Sequence, residues 1–179
     1  MVINLFSGPG CGKSTTAAGV FSLLKLHGFN CELVTEFAKD LTWEESWITL
    51  SNQNYVTAMQ HHRLHRLKSN VDVIVTDSPL LLGICYCKDI IMNKHIRKLY
   101  NEFDNANYLL SRVKPYQEVG RSQSEEEAIS IDNIVKDILK DEVVSKITGD
   151  YEGINHIVRD FLEINNMKLK YSIRGEQYE

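Results

Sequence analysis

Apolar and polar positions along this chain follow two rhythms. Short apolar runs at Val2–Phe6, Cys31–Val34, Val71–Thr76, Asn107–Leu110 and Val143–Ile147 have the length and solidity of buried strands. Between them, Ser14–His27, Asn52–Lys68, Lys94–Phe103, Ser124–Leu139 and Tyr151–Glu163 repeat apolar residues at helical spacing. Gly28 closes the first helix, and Ser124 with Glu127 has the spacing of a capping box. Strands alternating with helices predict an α/β fold, a parallel sheet with helices on both faces. Met167–Ile173 reads as an added edge strand, and Arg174–Glu179 as a loose tail. Ligands of such sheets bind beyond the carboxyl ends of the strands. Attention therefore falls on the residues after Phe6, Val34, Thr76, Leu110 and Ile147.

Composition narrows the classes. A chain of 179 residues is expected to form one domain. Twenty basic against 24 acidic residues give a net charge of −4, which argues against coating nucleic acid by charge alone. A local basic groove stays open. The longest apolar run, Leu80–Cys87, is too short to cross a bilayer. The first residues lack the charged region of a signal peptide. The expectation is a cytoplasmic protein without membrane contact. Its cysteines, Cys11, Cys31, Cys85 and Cys87, then read as free thiols. Cys85 and Cys87 have no second pair with which to complete a metal site.

The first strand runs into Ser7-Gly8-Pro9-Gly10-Cys11-Gly12-Lys13-Ser14-Thr15 and then a helix. Strand, glycine-rich turn, Lys-Ser and helix together make a P-loop. Gly8, Gly10 and Gly12 allow backbone amides to turn toward phosphate oxygens, and the helix start adds its positive end. Cys11 and Thr15 belong to the same cradle. Lys13 places a compact charge at the β/γ-phosphates, and the Ser14 hydroxyl suits Mg²⁺. The first position of the usual motif is Ser7 instead of glycine, with Gly8 beside it to keep the bend. ATP and Mg²⁺ are the expected cofactors.

Two further strand ends carry acids. Glu36, two residues past Val34, can serve as the general base for an attacking hydroxyl, or simply as a helix N-terminal acid. Asp77 ends an apolar strand like a Walker B acid and can hold Mg²⁺, or it caps Ser78-Pro79. On the Asn52–Lys68 helix, Gln60 and Arg63 interrupt an apolar stripe with groups that cannot be buried unpaired. A substrate with amide edges or phosphate would satisfy them; so would an internal acid such as Asp77 or Glu36 for Arg63. His61 and His65, four apart, read as a solvated face in preference to metal ligands. Trp43 and Trp47, at the same spacing, read as a core or lid contact before a base-stacking platform.

The stretch Ser111–Gln123 is polar and carries Arg112 and Arg121, which can close over a transferring phosphate as a small lid at about 112–124, or lie solvated at the surface. Thr148-Gly149-Asp150, after the fifth strand, is a turn placed near a nucleotide.

These motifs resemble the P-loop nucleoside and nucleotide kinases, and among them small phage-encoded P-loop kinase-like proteins. The resemblance rests on Gly8–Thr15, Thr35–Asp40, Thr76–Pro79, and Tyr116 through Gly120-Arg121 to Asp132, across about residues 2 to 150. It implies a three-layer P-loop NTPase fold with a five-stranded parallel sheet and an arginine-bearing lid. It also implies transfer of a γ-phosphate to a hydroxyl of a nucleoside- or nucleotide-type acceptor. Glu36 matches the acid after the second strand that serves as base in such kinases; Asp77 is followed by Ser78 where they often carry arginine. In this reading Lys13, Glu36, Asp77 and Arg121 are catalytic. Arg112 joins the P-loop in holding nucleotide, Gln60 and Arg63 meet the acceptor, and Ser14 and Asp77 hold the metal. A phage origin would place the protein in the host cytoplasm. Two other functions stay open: a kinase acting on 5-hydroxymethyluracil within DNA, through a basic face of Arg63, Arg66, Lys68, Lys94, Arg97 and Lys98, and a nucleotide-gated ATPase switch. A G-protein is disfavoured because Asn93-Lys94-His95-Ile96 lacks the aspartate of the guanine-reading motif.

Overall fold

Five strands, β1 (Val2–Phe6), β2 (Cys31–Val34), β3 (Val73–Thr76), β4 (Asn105–Ser111) and β5 (Val144–Thr148), form one all-parallel sheet in the order β2-β3-β1-β4-β5. The structure is a computed structural model that describes residues 1–113 and 124–173. Arg121, most of the arginine-bearing segment and the tail Arg174–Glu179 fall outside the described residues.

Every residue of β1 is buried, which marks it as the central strand of a doubly covered sheet. Its side chains alternate between two cores. Ile3 and Leu5 pack with Val20, Leu24, Ile157 and Phe161, contributed by α1 (Lys13–Leu26) and α7 (Tyr151–Ile164). Val2 and Phe6 pack on the other face with Leu64, Ile96, Tyr100 and Val135. These come from α4 (Gln53–His65), α5 (Ile90–Tyr100) and α6 (Glu125–Ile138). Asn4 is buried on β1, where its Nδ2 donates to Asn105 Oδ1 (2.9 Å) and Asn107 Oδ1 (3.1 Å) of β4.

The predicted capping box is present: Ser124 Oγ accepts from Glu127 N, and Glu127 Oε2 accepts from Ser124 N. Three features differ from the sequence reading. First, two short helices, α2 (Phe37–Trp43) and α3 (Trp47–Ser51), lie between β2 and α4, and a 3₁₀ segment follows β3 at Leu80–Tyr86.

Second, Trp43 and Trp47 do not share a helix. Glu45, at φ 54°, ends α2 in a Schellman turn: its N–H reaches Thr42 O, and Ser46 N–H reaches Leu41 O. Both indoles are exposed, so neither is core.

Third, Met167–Ile173 is not a strand. The segment lies against the end of α1 and against α7. His27 Nδ1 donates to Leu23 O (2.8 Å), leaving Nε2 to accept from the amides of Lys170 (3.0 Å) and Tyr171 (3.2 Å). Asn155 bonds both backbone polar groups of Ile173. Side chains thus satisfy the amides that a ladder would otherwise have taken. Among the described residues, no helix is long and apolar enough to cross a membrane.

Candidate active site

Strand order creates the site. β1 lies between β3 and β4, and β3 between β1 and β2, with Asn4 beside Thr76 and Val34 also beside Thr76. The chain leaving β1 (the P-loop), β3 (Asp77) and β2 (Glu36) therefore emerges at one level on one rim. A cavity of about 540 Å³ opens there, within the range of small-molecule sites.

The P-loop forms one wall. Gly10 and Gly12 have φ of 82° and 93°, a region that disfavours any side chain. Gly12 also faces the Gly149 carbonyl, which a Cβ would approach to 2.9 Å. Lys13 reaches back across the loop, donating to Ser7 O (3.0 Å) and Gly8 O (2.9 Å). Burial lowers its pKa, and the carboxylates of Glu36, Asp77 and Asp132 pull it back up. Ser14 Oγ donates to Asp77 Oδ2 at 2.5 Å. The other oxygen, Asp77 Oδ1, is buried with no hydrogen-bond partner among the described residues. A hydroxyl, a carboxylate and an unpaired carboxylate oxygen are the donor types a hard cation such as Mg²⁺ takes. Asp77 does not cap Ser78; Thr76 Oγ1 accepts from the Ser78 amide instead.

The facing wall comes from the segment after β2, from α4 and from the 3₁₀ segment. Glu36 is the N-cap residue of α2, the helix N-terminal place the alternative gave it, although its side chain bonds none of the helix amides. Burial raises its pKa, opposed chiefly by Lys13. Gln60 is buried: its Oε1 accepts from Phe37 N (2.9 Å), while Nε2 has no partner among the described residues. Both residues line the cavity, as do Trp43, Leu50, Val56, Leu82 and Tyr86. The lining is thus an apolar slot with an acid, an amide and an aromatic rim.

Not every expected residue faces this cavity. Gly10, Gly12, Lys13, Ser14, Thr15, Glu36 and Gln60 line it. Asp77 is buried directly behind Ser14. Gly8 and Cys11 do not line it; the Gly8 amide donates to Asp132 Oδ1 (2.5 Å), and Cys11 Sγ lies 3.7 Å from the same oxygen. Burial raises the Cys11 thiol pKa, so it is no ready thiolate. Arg112 does not line the cavity either. Its Nη1 donates to Pro9 O and its Nη2 to Asp132 Oδ2, both at 2.9 Å. Arg63 pairs with Asp40 (2.5 Å), bonds the Thr35 carbonyl (3.2 Å) and stacks 5.0 Å over the Phe37 ring. Its partner is an acid other than Asp77 or Glu36. Arg121 lies outside the described residues.

Two residues that the sequence reading named only in passing, Asp132 at the end of a matching stretch and Gly149 in a turn near the nucleotide, brace the P-loop instead. Asp132 of α6 braces the P-loop from behind, gripping Gly8 and, through Arg112, Pro9. A signal existed: Asp132 lies four residues after the buried Ala128 and three before the buried Val135, so an acid sits within an apolar stripe. Gly149 is the other, since a Cβ there would collide with the Cys11 carbonyl. The turn after β5 thus presses on the P-loop itself.

Comparison with known proteins agrees with the fold. Residues 2–152 match the family model described as AAA domain. No curated protein matches the chain. Among solved structures, deoxyadenosine kinase from M. mycoides is similar at 18% identity and a TM-score of 0.54, covering 93% of this chain and 99% of that one. Thymidylate kinase from Ehrlichia chaffeensis is similar at 16% identity and a TM-score of 0.60, covering 92% and 98%. At such identities the likeness is one of fold.

Proposed function

This chain belongs to the AAA-domain family, and we propose that within it the protein is a kinase that moves the γ-phosphate of ATP to a hydroxyl of a nucleoside- or nucleotide-type acceptor. One observation carries the reading. A half-buried acid, Glu36, and a buried amide with no partner among the described residues, Gln60 Nε2, open into the same cavity as the phosphate loop. A nucleotide switch without an acceptor has no need of that second wall. The named activities of the two solved structures, a deoxyadenosine kinase and a thymidylate kinase, support the same class.

The chemistry follows from the residues. The acceptor base stacks in the apolar slot, and Gln60 Nε2 donates to its edge. Glu36 takes the proton of the acceptor hydroxyl as its oxygen bonds to the γ-phosphorus. The bond to the β,γ-bridging oxygen breaks, and ADP leaves. Because burial raises the pKa of Glu36, it is a stronger base than an ordinary carboxylate, and it loses that function as pH falls through the raised value. Lys13 leaves its carbonyl partners to neutralise charge on the transferring group. Ser14 and Asp77 would hold Mg²⁺, which supplies charge neutralisation at the phosphates when bound. Asp132 and Arg112 keep the loop's outer turn in place. Arg121 retains its proposed part as a lid arginine.

A DNA acceptor draws less support. Of the basic face it would use, Arg63 is bound to Asp40, Arg97 is 3.8 Å from Glu142, and Lys68 lies over the Phe103 ring.

The test is incubation with γ-labelled ATP and Mg²⁺ against free nucleosides and nucleotides, and separately against duplex DNA with and without hydroxymethylated bases. Label on a free nucleoside or nucleotide is the expected result. Label in the polymer would move the acceptor to DNA. Release of phosphate with no labelled acceptor would overturn the kinase reading.

A further inference from the structure

The histidines of α4 read as a solvated face in the sequence, yet the fold gives them a third partner. His61 and His65 occupy successive turns at the end of α4, with ring centroids 5.3 Å apart and planes tilted by 35°. Glu102, just past α5, extends its carboxylate to the same place: Oε2 is 3.5 Å from His61 Nε2. One ligand atom from each of the three lies within 4.8 Å of the others. His61 Nε2 is shielded from solvent and makes no hydrogen bond among the described residues. Phe103 packs edge-on against the His61 ring at 6.0 Å, which restricts its rotation.

We propose that His61, His65 and Glu102 form a binding site for a transition-metal ion of the Zn²⁺ class, bridging the end of α4 to the turn after α5. Two imidazoles and one carboxylate are a donor set that Zn²⁺, Co²⁺ and Ni²⁺ accept, and that Mg²⁺ does not favour. Three protein ligands leave a fourth position for water. The donors need only contract by side-chain rotation, since His65 and Glu102 are at the surface; the Glu102 side chain is 34% exposed. The last carbonyls of α4 point toward this end, and the negative end of a helix favours a cation. The site shares no residue with the Ser14–Asp77 pair. It sits one residue past Gln60, so an ion there would fix the helix that presents the Gln60 amide to the cavity. The inference stands apart from the kinase reading, because its readouts need no turnover.

The experiment uses the purified full chain, stripped with EDTA and titrated with ZnCl₂ by calorimetry in excess Mg²⁺. One equivalent is expected to bind in the micromolar range or tighter. His65→Ala and Glu102→Gln change exposed side chains and leave folding intact. Each is expected to weaken binding by at least about tenfold, as loss of a direct ligand should cost no less than loss of its supporting partner. His156→Ala is expected to leave it unchanged. With Co²⁺, visible d–d bands without a near-ultraviolet thiolate band are expected. Zn²⁺ at 100-fold over Kd should raise Tm by roughly 5–10 °C in the parent chain and far less in His65→Ala. Binding that survives both variants, a thiolate band assigning the ion to Cys85 or Cys87, or no binding at micromolar Zn²⁺ would each overturn the site.

Discussion

On the phosphate wall of the cavity, Lys13 and Ser14 already hold partners inside the protein, and Asp132 clamps the loop from behind. On the facing wall, proposed to take the acceptor, Gln60 Nε2 is buried with no bond among the described residues, and the Glu36 side chain bonds none of the amides of the helix it opens. The first wall is a rigid turn on a central strand. The second is assembled from short helices whose order depends on Gln60, Arg63 and Asp40. The difference suggests a division of labour. Under the proposed function, the phosphate wall is preorganised for a ligand whose shape never varies, and the facing wall has its polar groups committed on one side only, ready for an acceptor that completes them.

Several substitutions would break or sharpen this contrast. Glu36→Gln has the largest expected effect: loss of the base should cost about 10²- to 10⁴-fold in turnover while leaving MgATP affinity unchanged. In the parent enzyme, log kcat/KM should climb with pH to a plateau through an apparent pKa above the usual carboxylate range, since burial raises Glu36. That limb should vanish in Glu36→Gln. Turnover that stays near normal would remove the base assignment.

Lys13→Ala should lower phosphotransfer by about 10²- to 10³-fold. Circular dichroism should report an intact fold, because the carbonyls of Ser7 and Gly8 that lose the ammonium can take water instead. Gly149→Ala tests the brace on the same wall. A Cβ against the Cys11 carbonyl should cost about 1–3 kcal/mol in urea unfolding and weaken nucleotide binding, because the loop itself must shift.

Gln60→Glu addresses the other wall. It preserves an acceptor for Phe37 N and removes the donor, so the acceptor KM should rise by about tenfold, the worth of one hydrogen bond, with KM for ATP unchanged. An equal rise in both constants would mean that Gln60 only shapes the fold. Arg63→Ala carries the smallest effect. A half-exposed ion pair to Asp40 and a ring contact should together be worth about 1 kcal/mol in thermal or urea unfolding.

Much of the fold was legible because buried strands and amphipathic helices leave a periodic trace. The five strands, α1, α4, α6 and α7 appear close to their expected bounds, and α5 begins four residues early, where Asp89 caps the amides of Ile91 and Met92. What escaped had no such trace. The Schellman turn that ends α2 uses Glu45 where glycine is usual, so nothing announced the break between Trp43 and Trp47. Met167–Ile173 has strand-like residues, but its amides are taken by His27 and Asn155, more than 10 residues distant in sequence and adjacent only in space.

The same division runs through the site. The residues of Ser7–Thr15 fixed a phosphate loop by themselves, because that chemistry is local: three glycines, a lysine and a hydroxyl on one turn. Glu36 and Asp77 could be singled out as acids at strand ends, and strand order then carried them to the same rim. Pairing was decided by the tertiary structure alone. It joined Arg63 to Asp40, Asp132 to Gly8, Gly149 to Cys11 and Glu102 to His61. A charge or an unpaired polar atom states a need in the sequence, and only the folded packing determines which of several candidate partners lies within reach to meet it.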